Sequence, residues 1–201
     1  MEVRSDGRYV YFRVIFAIFL LHRTQGCQDS PVGIADSSII PDDRFTASSY
    51  YTRDASDTRY KPKEARLNGA MGWGPNTKTD PNDYLQIDLG QVYAICAVAT
   101  QGFGTNKSPN EWTTQYKIST SVNNGNWTTY KTSNADKLFP GNTDYNTVVK
   151  NVLDYPVLVR FIRFIPTDYS TWKALRVEAY GLEKRKSEHH KDYLKTFFFF
   201  G

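Results

Sequence analysis

Short apolar runs closed by turns set the strongest limit on this chain. None of them sustains the 3.6-residue period of an amphipathic helix. Leu85-Gln-Ile-Asp-Leu89 and Tyr116-Lys-Ile-Ser-Thr120 alternate apolar and polar, as half-buried strands must. Val92 to Thr100 is a longer apolar run, suited to a strand covered on both faces. Asn123-Asn-Gly125 reads as a hairpin turn with Trp127-Thr-Thr-Tyr130 as the returning strand. Thr147-Val-Val149, Leu158 to Ile165 and Leu175 to Tyr180 complete the set. Many short strands between Gly, Pro and Asn turns point to an all-β sandwich or barrel rather than an α/β fold. The aromatic content of 15% suits pleated surfaces.

Three segments differ in character. At the N-terminus, Arg4, Arg8 and Arg13 precede the apolar run Val14 to Leu21, with the small residues Thr24 and Gly26 after it. That order is expected of a signal peptide over residues 1–26, cleaved to leave Cys27 near the mature N-terminus. The alternatives are an uncleaved signal anchor or a buried strand. Residues 27–182 form the expected domain. Residues 183–201 are charged and lack an apolar face until Phe197 to Phe200, so a disordered tail is expected there. The formal charge of +4 resides in the two ends, and the stretch between them balances to zero. A basic footprint for nucleic acid is therefore absent from the domain.

The chemistry open to residues 27–182 is narrow. His22, His189 and His190 all lie outside it, so no imidazole serves a Ser-His or Cys-His nucleophile or a typical zinc site. Asn68-Gly-Ala-Met-Gly-Trp-Gly74 lacks the spacing and the Lys of a phosphate loop. Asp42-Asp43 and the pair Asp80 and Asp83 read as turn residues and caps rather than a catalytic dyad. No catalytic residue, cofactor or metal is expected. Asn126-Trp-Thr128 and Asn106-Lys-Ser108 are N-glycosylation sequons, the second weakened by Pro109.

The runs and turns also carry a series of motifs. In order they are Cys27-Gln-Asp-Ser-Pro-Val-Gly33, Ile40-Pro-Asp-Asp-Arg-Phe-Thr-Ala-Ser-Ser49, Ala65-Arg-Leu-Asn68 and Asp83-Tyr-Leu-Gln-Ile-Asp-Leu-Gly90. Ala97-Val-Ala-Thr-Gln-Gly102, Phe139-Pro-Gly-Asn-Thr143, Arg160-Phe-Ile-Arg-Phe-Ile-Pro166 and Leu175-Arg-Val-Glu-Ala-Tyr-Gly181 follow. The series resembles the discoidin domain, also called the coagulation factor V/VIII C-type domain, over residues 27–182. The resemblance implies an eight-stranded antiparallel jelly-roll β-sandwich of the galactose-binding-like kind. It implies binding rather than catalysis, with ligands that include glycans, collagen, peptide termini and phosphatidylserine membranes. Contacts are expected from three loops, or spikes, at one end.

By position those spikes are Tyr50 to Lys63, Gly69 to Trp73 and Phe103 to Trp112. The candidate contacts are Tyr50, Tyr51, Arg53, Arg59, Tyr60, Lys61, Met71, Trp73, Phe103, Lys107 and Trp112. Thr52-Arg-Asp-Ala-Ser-Asp-Thr58 is polar and near neutral, which argues against an apolar membrane wedge and for a glycan or protein ligand. Anionic phospholipid binding, or a role as the carbohydrate-binding part of a larger enzyme or receptor, are the alternatives. Arg66, Arg163, Arg176, Asp88 and Glu178 are expected in ion pairs that fix the sandwich. The family's closing Cys position holds Leu182, and Cys96 has no obvious partner. An oxidising compartment would permit a Cys27–Cys96 bridge, but the favoured expectation is two unpaired thiols, or an intermolecular bond from Cys27, since the terminus would have to reach mid-strand.

Overall fold

The computed structural model describes residues 26–105 and 108–184. The expected leader, the charged tail with its Phe cluster, Asn106 and Lys107 lie wholly or almost wholly outside them. Among the described residues ten strands are assigned. They are β1 (Phe45–Ala47), β2 (Leu85–Gln101), β3 (Phe103–Thr105), β4 (Ser108–Ser121) and β5 (Thr128–Thr129). After these come β6 (Lys131–Thr132), β7 (Ala135–Asp136), β8 (Phe139–Pro140), β9 (Val149–Ser170) and β10 (Arg176–Glu183). Every pairing between these strands is antiparallel. Eight strands form one network, with β9 between β2 and β4, and β6 pairs with β7 alone. The fold is the expected antiparallel β-sandwich.

Two long strands organise it. The register between β2 and β9 slips between Asp88 and Tyr93 and again between Ile95 and Ala97. Ahead of the first slip, β2 carries β1, with Phe45 opposite Ile87. Beyond it, β2 carries β10, with Val177 opposite Thr100. The slips let one strand pair serve both layers, the usual role of a bulge at a sandwich corner. Gly90 lies at the first slip with φ +77, a backbone conformation that suits glycine. One core lies between the layers. It takes Leu85, Ile87 and Leu89 from β2, Tyr116 and Ile118 from β4, Ile162 and Phe164 from β9, and Val177 and Ala179 from β10. Alternation selects these residues in each strand.

The hairpin after β4 forms as expected, with Thr120 opposite Thr128 and Ser119 opposite Thr129. Its left-handed position is Asn124 (φ 61) rather than Gly125. The Asn123 side chain makes this work, its Oδ1 accepting from the N–H groups of Gly125 and Asn126, both at 3.0 Å.

The cysteines correct the sequence reading. Cys27 and Cys96 are joined in a disulfide, with Cα atoms 6.0 Å apart. The terminal segment reaches mid-strand because it runs along the free edge of β10. Val32 N–H donates to Ala179 O (2.9 Å), and Gly181 N–H donates to Ser30 O (2.8 Å). Since β10 neighbours β2, with Tyr180 opposite Ala97, the segment delivers Cys27 beside Cys96.

The strand charges divide. Asp88 is paired, accepting from Arg160 (2.9 and 3.1 Å) and Arg44 (2.6 Å). Arg66 is paired with Asp42 (2.7 Å) and also donates to the carbonyls of Ile34 and Ile40. The other three are not held by ion pairs. Arg163 donates to Gln86 and lies between the Tyr84 and Trp127 rings, 4.0 and 3.8 Å from their centroids. Glu178 accepts from the N–H groups of Ile34, Ala35 and Ala179. Burial pushes its carboxyl above the ordinary range against those three bonds. Arg176 donates to the carbonyls of Gly69, Gly102 and Tyr145. Loop backbone must find partners when buried, and these two side chains supply them.

Candidate functional site

Three connections meet at one end of the sandwich: the long β1–β2 loop, the start of β4 and the β9–β10 turn. Together they line a cavity of about 410 Å³. Its lining is Tyr51, Arg59 and Tyr60 from the first spike, Lys78 from later in the same loop, Glu111 from β4, and Thr171 and Trp172 from the β9–β10 turn.

The aromatic walls are held from behind. Tyr51 meets Tyr60 edge to face at 5.4 Å and Trp172 at 5.8 Å. Tyr60 rests on Phe103 at 5.4 Å. The Trp172 indole N–H donates to Pro75 O (3.0 Å), and Tyr51 N–H donates to Gly74 O (2.9 Å). Gly74 is the residue that permits this. A Cβ there would stand 3.0 Å from the Tyr60 ring and 3.3 Å from the Trp172 ring. Thr171 takes φ 66 at the turn that presents Trp172. Next in sequence, Lys173 is 3% exposed and donates to Asp83 Oδ2 (3.0 Å) and to Asp80 O. The β9–β10 turn is thereby tied to the β1–β2 loop by a buried ion pair.

The charges of the cavity are arranged unequally. Arg59 donates to both Asp57 oxygens, at 2.9 and 2.8 Å. The hydrogen bond from Arg59 holds the Asp57 carboxyl far below the usual carboxylate range, and Asp57 in turn raises Arg59. This pair is a closed unit. Glu111 is different. It is 5% exposed, and burial raises its carboxyl above the ordinary range, opposed by a hydrogen bond from the Tyr60 side chain and by the charge of Arg59. Its Oε2 atom is buried without a hydrogen-bond partner. Lys78 Nζ lies 5.7 Å from the Trp172 ring centroid, a cation–π contact.

The structure gathers three of the eleven predicted contacts, Tyr51, Arg59 and Tyr60, into the cavity. It removes two from any surface role. Trp73 is 0% exposed, with its indole N–H donating to Ser49 O (2.9 Å), and Phe103 is 1% exposed. Both are core residues that back the loops, since large aromatics gain most by full burial. Met71 is half-buried against Tyr60, Phe103 and Ala174. Tyr50 and Arg53 are exposed on the same loop, where Arg53 pairs with Asp54 (3.1 Å). Lys61 and Trp112 are half-buried and do not line the cavity. Lys78, Glu111, Thr171 and Trp172 were missed. One signal was available, an aromatic and a Lys in a short turn between two strand runs at 171–173.

The fold and site define a β-sandwich with an aromatic cavity framed by loops at one end. The chain belongs to the F5/8 type C domain family, whose match covers residues 44–179. It is 36% identical to human neuropilin-2 over 153 residues, which are 75% of this chain and 16% of that protein. Over 161 residues it is 34% identical to pig lactadherin, covering 78% of this chain and 39% of that protein. The chain thus spans a minor part of each relative's length. Among solved structures, discoidin II of Dictyostelium discoideum superposes with a TM-score of 0.57 at 23% identity, over 76% of this chain and 59% of that one. A CBM32 module of Clostridium perfringens, in complex with GalNAc-β-1,3-galactose, gives 0.55 at 13% identity, over 76% of this chain and all of the module. These two likenesses concern the fold.

Proposed function

We propose that this chain is an extracellular recognition domain that binds a glycan or protein ligand in the cavity of Tyr51, Tyr60 and Trp172. The observation that carries the reading is the cavity itself, lined by the Tyr51, Tyr60 and Trp172 rings together with Arg59, Lys78 and Glu111, with the Trp172 indole fixed by its bond to Pro75 O. Apolar walls with a few placed polar groups are what small ligand sites use. Membership of the F5/8 type C family and the CBM32 module in complex with a disaccharide agree with a binding role. The Cys27–Cys96 bridge supports an oxidising compartment. Residues 52–56 at the first spike are all exposed and carry no large apolar side chain, which weighs against insertion into lipid. Among the described residues, no helix is long and apolar enough to cross a membrane.

The test is a glycan array and a panel of extracellular matrix proteins probed with wild type, Tyr51→Ala and Trp172→Ala. Binding that falls at least tenfold in both variants, with unfolding midpoints near wild type, is expected. Binding unchanged in both refutes the site. Capture only by phosphatidylserine vesicles would transfer the function to lipid. Asn126 is proposed as a glycan acceptor, exposed at the hairpin tip. It lies beyond the far end of β4 from Glu111, a run of roughly 33 Å at about 3.3 Å per residue. Its glycan would leave the cavity open. A glycosidase-sensitive mass shift that Asn126→Gln removes is the check.

A further inference from the structure

Glu111 is the buried charge of the cavity that makes no ion pair among the described residues. Arg59 turns its Nε and one Nη toward Asp57, and it makes no ion pair with Glu111. Lys78 lies over the Trp172 ring, and among the described residues it makes no ion pair. Glu111 Oε2 is buried and has no hydrogen-bond partner. A buried acceptor without a partner costs free energy, and a buried anion costs more. Such a group in a ligand cavity marks where a donor of the ligand fits.

We propose that the cavity selects ligands bearing a protonated primary amine, whose ammonium donates to Glu111 Oε2 between the rings of Tyr51, Tyr60 and Trp172. The inference rests on the cavity being the binding site. Aromatic faces attract cations, and the fold already uses this twice at the cavity, with Arg59 5.5 Å from the Tyr60 ring and Lys78 5.7 Å from the Trp172 ring. The ammonium is favoured over a guanidinium for a geometric reason. An Arg-like fork needs both carboxylate oxygens, and of the two Glu111 oxygens only Oε2 is buried without a hydrogen-bond partner. A compact point charge with three donors needs only the one. A neutral sugar hydroxyl could donate to the same atom but would leave the charge unmatched.

The experiment uses matched probes in NMR titrations that follow the Trp172 indole N–H signal. The pairs are Nα-acetyl-lysine methylamide against its norleucine counterpart, and glucosamine against glucose. The first pair represents a protein side chain, the second an amino sugar. In at least one pair the amine is expected to bind at least tenfold more tightly than its neutral counterpart. Glu111→Gln, nearly isosteric, should lower amine affinity roughly 10- to 100-fold, the usual worth of a charged hydrogen bond, and erase the preference. Lys78→Gln should tighten amine binding by removing a like charge. Equal binding of amine and neutral probe in both pairs, a preference that survives Glu111→Gln, or no response to either amine at tens of millimolar overturns the proposal. If array binding is lost in Trp172→Ala but kept in Glu111→Gln, the cavity stands and the ammonium inference alone falls. If neither variant alters it, the site itself is wrong.

Discussion

Opening the Cys27–Cys96 bridge gives the sharpest stability test. The two residues are separated by 69 positions. In the chain-entropy treatment a closed loop of that length restricts the unfolded ensemble by about 4 kcal/mol, within the 2–5 kcal/mol range typical of native bridges. For a domain of roughly 150 residues each kcal/mol moves Tm by about 2–4 °C. The double variant Cys27→Ala/Cys96→Ala is therefore expected to melt roughly 8–16 °C below wild type. Wild type scanned in reductant should match it. Two further readings follow from placing the effect in the unfolded state. The denaturant m-value should rise, because the uncrosslinked chain exposes more surface. The loss should appear mainly as slower folding, since the native contacts are unchanged. A loss below about 1 kcal/mol, or one expressed wholly as faster unfolding, would refute the reasoning. It would mean that the terminal segment is held by its backbone bonds to β10, and that the bridge only adds local rigidity.

Other outcomes follow from the same contacts. Lys173→Met strands a carboxylate that is 2% exposed and should cost about 3–5 kcal/mol in denaturant melts, and restoring the balance with Asp83→Leu should recover part of it. Trp73→Ala empties a fully buried site and should cost about 3–5 kcal/mol, so any binding it loses should track unfolding, unlike Trp172→Ala. Glu111→Gln should be more stable than wild type at neutral pH. The Glu111 carboxyl is raised by burial, so its ionised form costs stability in full above the folded value, and that cost shrinks as pH falls through the folded value and vanishes below the unfolded one. The gap between the two proteins should close on acidification, and a gap that widens would contradict the burial argument.

The fold was legible because strand periodicity is written in local sequence. Leu85, Ile87 and Leu89 alternate, and they face the core as alternation requires. The bridge was not legible, because whether residue 27 reaches residue 96 depends on the terminal segment lying along β10, a long-range pairing that no local pattern encodes. The same limit applies to the cavity. Tyr51, Arg59 and Tyr60 were found by placing the first spike, but Glu111 arrives from β4 and Trp172 from the β9–β10 turn, roughly 50 to 120 residues away. Trp73 and Phe103 were misjudged for a related reason. Loop position alone does not tell a ring that meets solvent from one that fills space beneath the loop.

The position of β9 has a consequence for how the protein is made. It lies between β2 and β4 yet follows both in the chain. Leu85 of β2 pairs with Phe164, and Ile118 of β4 pairs with that same residue. At a synthesis rate of about 5–20 residues per second, β2 waits roughly 3–13 s for that neighbour to be made. During that interval two long strands present open edges, the surfaces that recruit other chains. Fragments ended before Ser170 should accumulate as insoluble material, whereas chains that extend through Glu183 should close the sandwich and remain in solution.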